Sequence, residues 1–310
     1  MQKTESIAIL LATYNGEKYL TAQLDSLLAQ TYTDWVCYIH DDGSKDSTAD
    51  VISSYCTRYP DKFISISGAP TGGSGSNFMY LLSQVVAPYY MMCDQDDVWL
   101  NFKVKKSYDT IKSLESYYGD MSPILCYSEV EVVDDELREI CPTLSKFQQV
   151  DLHKNEFGRI MIQNVVTGCT TIFNRELVKK ALKVKHKENI IMHDWWLALI
   201  ARKFGTLQPM DEVTMLYRQH GDNQVGAKNA GSFQYYIDKL FTNGSVKYEL
   251  ERTRKQALEF AYTYDLPKSD LSYEYGRLKS RNKLRRLGFY YRNGVVKQGI
   301  KRNIGLIIYG

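Results

Sequence analysis

Over the first hundred residues, short and nearly continuous apolar runs alternate with segments whose apolar residues recur every three or four positions. Ile7 to Thr13, Trp35 to His40, Phe63 to Ser67 and Tyr89 to Cys93 are runs of the first kind. Their length and continuity predict strands covered on both faces. Between them, Glu17 to Gln30 places Tyr19, Leu20, Leu24, Leu27 and Leu28 on one helical stripe. Ser47 to Tyr59 and Asn77 to Val86 also read as helices. Strands alternating with helices imply right-handed crossovers and a parallel sheet.

Beyond residue 100 the pattern is more mixed. Asn101 to Ser116 reads as a helix, Ile124 to Val133 as a strand, Asn155 to Ile162 as a short helix and Thr167 to Phe173 as a strand. A helix over Trp195 to Lys203 and a strand over Val213 to Arg218 follow. Small and polar residues from Gly226 to Gly231 mark a boundary, after which the chain is helical, rich in tyrosine and increasingly basic. The expectation is an α/β domain over residues 1–225, with halves meeting near residue 100, and a helical region over 226–310.

In open α/β sheets, ligands bind at the carboxyl ends of the strands. Those ends read Thr13-Tyr14-Asn15-Gly16, then Asp41-Asp42-Gly43-Ser44, then Asp94-Gln95-Asp96-Asp97, so three polar clusters converge on one edge. In the third, three carboxylates stand within four residues behind a buried strand. A helix cap needs one of them; a divalent cation holding a diphosphate accounts for more, because Mg2+ uses one or two carboxylates together with substrate phosphates. Asp46 or Ser47 reads as a helix cap, which leaves Asp41 and Asp42 to accept hydrogen bonds from a base or a ribose. Pro70 to Asn77 is a glycine-rich loop entering a helix, suited either to close backbone approach to a ligand or to a plain connection.

Two further clusters lie downstream. His193-Asp194-Trp195-Trp196 opens an apolar helix, where Asp194 is either its cap or a general base beside an aromatic platform for a sugar. Tyr217-Arg218-Gln219-His220-Gly221-Asp222-Asn223 crowds Arg218, a candidate phosphate ligand, against His220, a candidate metal ligand.

Composition narrows the class without deciding it. Of 310 residues, 44% are hydrophobic and 24% charged, with a net charge of +3, too small to argue for nucleic acid. No apolar run reaches the 18 residues of a membrane span, and the start lacks the pattern of a secretory signal. The six cysteines are scattered, as in a reduced cytoplasmic protein. Charge is concentrated instead: Arg277 to Arg302 holds ten Lys or Arg and no acid, interleaved with Leu287, Phe289, Tyr290 and Tyr291. Such a tail suits a solvated basic face, anionic lipid headgroups or RNA.

Taken together, Ala12 to Gly16, Asp41 to Ser44, Asp94 to Trp99 and His193 to Trp195 resemble a family-2 glycosyltransferase of the GT-A fold. The wording Gln95-Asp96-Asp97-Val98-Trp99 and Tyr217 to His220 is similar to bacterial rhamnosyltransferase-like enzymes of surface polysaccharide synthesis. The resemblance implies a Rossmann-like, mostly parallel central sheet flanked by helices, and inverting transfer from a nucleoside-diphosphate sugar. It assigns Thr13, Tyr14, Asn15, Glu17, Asp41, Asp42, Asn77, Asp94, Gln95 and Arg218 to the nucleotide sugar. It assigns Asp96, Asp94 and His220 to Mg2+ or Mn2+, Trp99, His193 and Trp195 to the acceptor, and Asp194 to the catalytic base. The implied donor is dTDP-rhamnose, or alternatively a UDP-hexose or UDP-N-acetylhexosamine. The implied acceptor is a lipid-linked saccharide at the inner face of the cell membrane, and the tyrosine-rich helices could pair two chains. A nucleotidyltransferase would carry a glycine-rich basic loop after the first strand, and a dehalogenase-like phosphatase an Asp-x-Asp there; Ala12 to Glu17 provides neither. A non-catalytic nucleotide-sugar-binding scaffold could lack the base or the metal ligands, and both are present.

Overall fold

The computed structural model describes residues 6–220, 245–280 and 282–310. The expected boundary at Gly226 to Gly231, and Gly221, Asp222 and Asn223, lie outside the described residues. Strand β1 (Ile7–Thr13) pairs in parallel with β2 (Trp35–Asp41) on one side and β4 (Tyr89–Cys93) on the other, and β3 (Phe63–Ser65) extends the parallel run beyond β2. Its side chains alternate between two cores: Ile7, Ile9 and Leu11 join one, Ala8, Leu10 and Ala12 the other. That alternation, with both faces covered, is why an unbroken apolar run forms a strand here. Helices α1 (Leu20–Leu28), α2 (Thr48–Arg58) and α3 (Ser74–Gln84) connect these strands.

The sheet then becomes mixed, in the order β3-β2-β1-β4-β8-β6-β9-β5. Strand β5 (Val98–Trp99) and helix α4 (Lys103–Tyr118) precede β6 (Ile124–Val133), which pairs with the short β7 (Glu139–Cys141). After helices α5 (Leu144–Gln148) and α6 (Phe157–Ile160), β8 (Thr171–Asn174) inserts antiparallel between β4 and β6. Helices α7 (Arg175–Ala181) and α8 (His193–Phe204) lead to β9 (Thr206–Arg218), parallel to β6 and antiparallel to β5. The strand expected over Thr167 to Phe173 starts only at Thr171. The hydroxyls of Thr170 and Thr171 donate to the carbonyls of Thr167 and Gly168 at 2.7 Å, which holds Gly168–Thr170 in a 3-10 turn. Likewise α1 begins at Leu20 rather than Glu17, after a turn in which Asn15 takes a φ of 47°.

The C-terminal helices α9 (Ser245–Thr263), α10 (Leu271–Gly276), α11 (Lys283–Arg292) and α12 (Ile300–Tyr309) pack onto the α/β unit. Leu250, Phe260, Tyr275, Tyr290, Val295 and Leu306 share one buried cluster with Leu10, Met92 and Trp196. Buried Glu259 accepts hydrogen bonds from the Lys185 and His186 N–H groups and from Asn189, fastening α9 to the segment before α8. The basic tail is therefore part of the folded body.

Candidate active site

At the end of β1 the Thr13 hydroxyl donates to Asp41 Oδ1 at 2.8 Å, and Asp41 also accepts from the Ser44 N–H and hydroxyl. Asp42 turns toward the glycine-rich loop. Its carboxylate accepts from the Thr71 hydroxyl at 2.9 Å and from the N–H groups of Gly72 and Gly73 at 3.1 and 2.8 Å, besides the Thr71 N–H. Gly72 and Gly73 have φ of 86° and 145°, a conformation that lets consecutive N–H groups converge on one anion and that side chains resist. The loop thus holds Asp42 whatever else it touches. Gln95 works similarly as a strut. Its amide bonds both the N–H and the C=O of Tyr14, and a Cβ on Gly16 would come within 2.4 Å of Gln95 Oε1.

The carboxylates after β4 divide. Asp97 is fully buried, accepts from the Arg218 N–H at 3.1 Å and keeps one oxygen unpartnered. Burial, then the charges of Asp96 and Asp94, push its carboxyl up. Asp94 and Asp96 face the cleft. Asp94 is raised well above the carboxylate range by burial first and by Asp96 second. Asp96 Oδ2 lies 2.8 Å from His220 Nε2. Arg218 braces this loop from behind, with Nε donating to the Asp96 carbonyl at 2.9 Å and the guanidinium stacked over Tyr19. None of these carboxylates caps α4, whose cap position is Phe102.

Asp194 occupies the first turn of α8, whose cap position is Met192. Its Oδ1 accepts from the Trp195 N–H at 2.6 Å, and it is 9% exposed. Burial pushes its carboxyl up to about 7, against the opposing pull of the Trp195 and Gly168 N–H groups and the Asn164 side chain. Buried His193 has neither ring nitrogen partnered, stacks on Phe78 with centroids 4.3 Å apart, and is pushed down to about 3 by burial, so it is neutral. The absence of a side chain on Gly168 makes room for it, since a Cβ there would meet His193 Nε2 at 2.7 Å.

One cavity of about 1400 Å³ joins these elements. Thr13, Tyr14, Asn15, Asp42 and Asn77 line it together with Asp94, Gln95, Asp96 and His220. His193, Asp194 and Trp195 line it as well. Four expected residues do not line it. Glu17 is exposed and accepts from the Ser47 N–H, Asp41 is engaged by Thr13 and Ser44, and Arg218 stands behind the loop. Trp99, expected on the acceptor side, is 2% exposed in the second core under α1 and α4, because its strand pairs with β9 and turns the indole inward. Tyr19 and Tyr217 line the cavity unexpectedly. Tyr19, which the periodicity places on an apolar helical stripe, precedes α1 and packs against His220 with ring centroids 4.7 Å apart. Buried Lys103, whose amine donates to Thr214, is pushed down to about 8 by burial.

Asp94, Asp97 and Cys169 also bring ligand atoms within 4.8 Å of one another. That trio suits a hard cation poorly, since Asp97 and Cys169 are fully buried and a thiol is a soft ligand. Asp94, Asp96 and His220 line the cavity and offer oxygen and imidazole, the donor types that suit Mg2+ or Mn2+, but their ligand atoms are not gathered within that distance.

A family model described as Glycosyl transferase family 2 matches residues 8–181. The dTDP-rhamnosyl transferase RfbG of Shigella flexneri is 30% identical over 238 residues, which span 73% of this chain and 76% of that protein. Among solved structures, S. aureus TarS 1-349 in complex with UDP-GlcNAc superposes with a TM-score of 0.56 at 15% identity, covering 97% of this chain and 90% of that one. The mannosyltransferase PcManGT from Pyrobaculum calidifontis, in complex with GDP-Man and Mn2+, superposes with a TM-score of 0.51 at 13% identity, covering 93% and 79%.

Proposed function

Because this chain belongs to glycosyl transferase family 2 and has the GT-A fold, we propose that it moves a sugar, with inversion, from a nucleoside diphosphate to a hydroxyl of a lipid-linked saccharide. One observation carries the reading: the buried Asp194 carboxylate and the Asp94–Asp96–His220 group line the same cavity. Asp194 accepts the proton of the acceptor hydroxyl as that oxygen attacks the anomeric carbon opposite the diphosphate. Burial makes it a stronger base than an ordinary carboxylate, and the Trp195 N–H fixes its orientation. Attack from the opposite face in a single displacement inverts the anomeric centre. Mg2+ or Mn2+ held by Asp96, Asp94 and His220 would neutralise charge on the departing diphosphate. Arg218 keeps the Asp96 backbone in place, and Tyr14, Asn15 and Asn77 border the nucleotide end.

The donor is dTDP-rhamnose. The relative named as a dTDP-rhamnosyl transferase supports this at 30% identity. A UDP-sugar is the second reading, favoured by the structural likeness to an enzyme seen with UDP-GlcNAc. No helix among the described residues is long and apolar enough to cross a membrane. Leu284 and Tyr291 on α11 and Ile300, Ile304, Ile307 and Ile308 on α12 are exposed beside Arg285, Arg292 and Lys301. These faces would rest on anionic lipid at the inner surface of the membrane, where the acceptor lies.

Thermal shift with a panel of nucleotide sugars, each with and without Mn2+, tests the reading, because a ligand that binds the folded state raises its stability. A metal-dependent rise with dTDP-rhamnose is expected. A rise confined to a UDP-sugar would replace the donor, and no rise with any donor would favour a non-catalytic scaffold.

A further inference from the structure

The cavity is lined by acids and cations together. Asp42, Asp94, Asp96, Asp194 and Glu249 line it, and so do Lys18, Arg252, Lys297, Lys301 and Arg302. All of these cations but Lys18 come from α9, α12 and the loop joining α11 to α12. That loop is held rigidly. The Asn303 side chain bonds the Lys297 N–H and C=O at 3.0 and 2.6 Å. Buried Gln298 donates its N–H to Gln163 at 2.7 Å and exchanges two bonds with the Asp151 backbone at 2.7 and 2.9 Å. Arg302 reaches the carbonyls of Gln148 and Gln149. Apart from Asn303, these anchors lie between residues 148 and 163.

Two of the charges, Arg252 and Arg302, are bonded to no carboxylate among the described residues. Lys297 pairs with Glu249 at 3.4 Å. Among the described residues, however, Arg252 and Arg302 donate only to carbonyls: Arg252 to Ile191, beside the start of α8, and Arg302 to Gln148, Gln149 and Gln298. Carbonyls hold a guanidinium in place without neutralising it. Two positioned guanidinium groups and an adjacent ammonium on a cavity wall suit a phosphate, which Arg can grip through paired N–H groups. A metal needs nothing of the kind.

We propose that Arg252, Lys301 and Arg302 form a phosphate subsite for the acceptor, so that the enzyme selects a hydroxyl on a phosphate-bearing molecule. This rests on the glycosyl-transfer reading. It adds that the acceptor is held through its own phosphate by cations of which Arg252 is bonded to the Ile191 carbonyl, just before Asp194, apart from the donor diphosphate. Ile300, Ile304, Ile307 and Ile308, exposed on the same helix as Lys301 and Arg302, put the subsite next to an apolar surface and so favour a membrane-borne phosphate. An anionic lipid headgroup offers the same chemistry, and the test separates the two.

Inorganic pyrophosphate is titrated calorimetrically into the full chain in metal-free buffer with EDTA, which disables the donor-metal site. Wild type should bind it, and Arg252→Gln and Lys301→Gln should each weaken binding about tenfold or more, as loss of a charge-assisted hydrogen bond implies. Folding of each variant is checked by its melting temperature; Lys301, being exposed, serves as the variant least able to disturb the fold. No binding by wild type, or equal binding by both variants, overturns the subsite. In parallel, flotation is measured with phosphatidylcholine vesicles with and without phosphatidylglycerol. Variants that lose vesicle binding yet keep pyrophosphate affinity would assign the charges to headgroups and refute the acceptor subsite. Donor-induced stabilisation of the wild type, read separately with Mn2+, reports on the transfer reading alone.

Discussion

The ends of β2 and β4 carry the same signature, neighbouring aspartates after an apolar strand, yet their surroundings differ. At β2, Asp41 and Asp42 are ringed by donors: the Thr13, Ser44 and Thr71 hydroxyls and a series of N–H groups. At β4, Asp94 and Asp96 both line the cavity, and Asp94 is raised by burial and by the charge of Asp96. Hydrogen-bond donors stabilise the charged form of a carboxylate; burial beside a like charge destabilises it. The first pair therefore builds the loop that frames the cleft, whereas the second stores a demand for positive charge that a divalent ion would meet.

The sharpest way to break this contrast is Asp96→Ala, which should lower metal affinity and transfer by at least 10- to 100-fold. Transfer measured across a Mn2+ titration checks it, and an unchanged metal dependence removes Asp96 from the ion's ligands. Stability supplies a test of opposite sign. Asp94 is raised in the folded state, so its protonated form is favoured, stability is fully present below the ordinary carboxylate range and declines as pH rises through the folded value. Asp94→Asn should therefore raise the melting temperature of the metal-free protein at pH 8 by about 2–4 °C for each kcal/mol relieved. Asp42→Asn should instead cost about 1–3 kcal/mol, because an amide presents N–H to the Gly72 and Gly73 N–H groups. Scanning calorimetry of the two variants decides it; melting shifts of the same sign would erase the distinction. The smallest expected effect is on pH: kcat/KM should rise toward a plateau as Asp194 loses its proton around pH 7. A profile flat from pH 5 to 8 would show that no such group controls the rate.

Much of this was legible in the chain because burial on both faces leaves a simple mark. Ile7–Thr13, Tyr89–Cys93 and Ile124–Val133 have the expected limits, since each run is mostly apolar, although Thr13, Ser128 and Glu129 are buried too. Elements of two to five residues, such as β5, β7 and α5, are too short for any periodicity. Helix α7 carries a readable sign in Asn174, whose side chain accepts the Leu177 N–H and caps the helix. The strand-end clusters announced the cleft, but not which carboxylates would be satisfied internally. The donors to Asp42 come from about thirty residues away. Trp99 follows the acidic cluster Asp94 to Asp97 in sequence, yet points into the core, a direction that pairing with β9 decides. The cation cluster depends on α12 returning to residues 148–163, a contact between distant segments that no local pattern encodes.

Asp194→Asn tests the central claim most directly, because the amide keeps the oxygen that accepts the Trp195 N–H and loses only the base. Donor affinity and sugar transfer are measured on the same preparation. The account predicts donor binding close to wild type and transfer reduced by about 10²- to 10⁴-fold, the usual contribution of a positioned general base. Wild-type turnover by this variant would contradict it, and would show that the proton leaves the acceptor hydroxyl by another route.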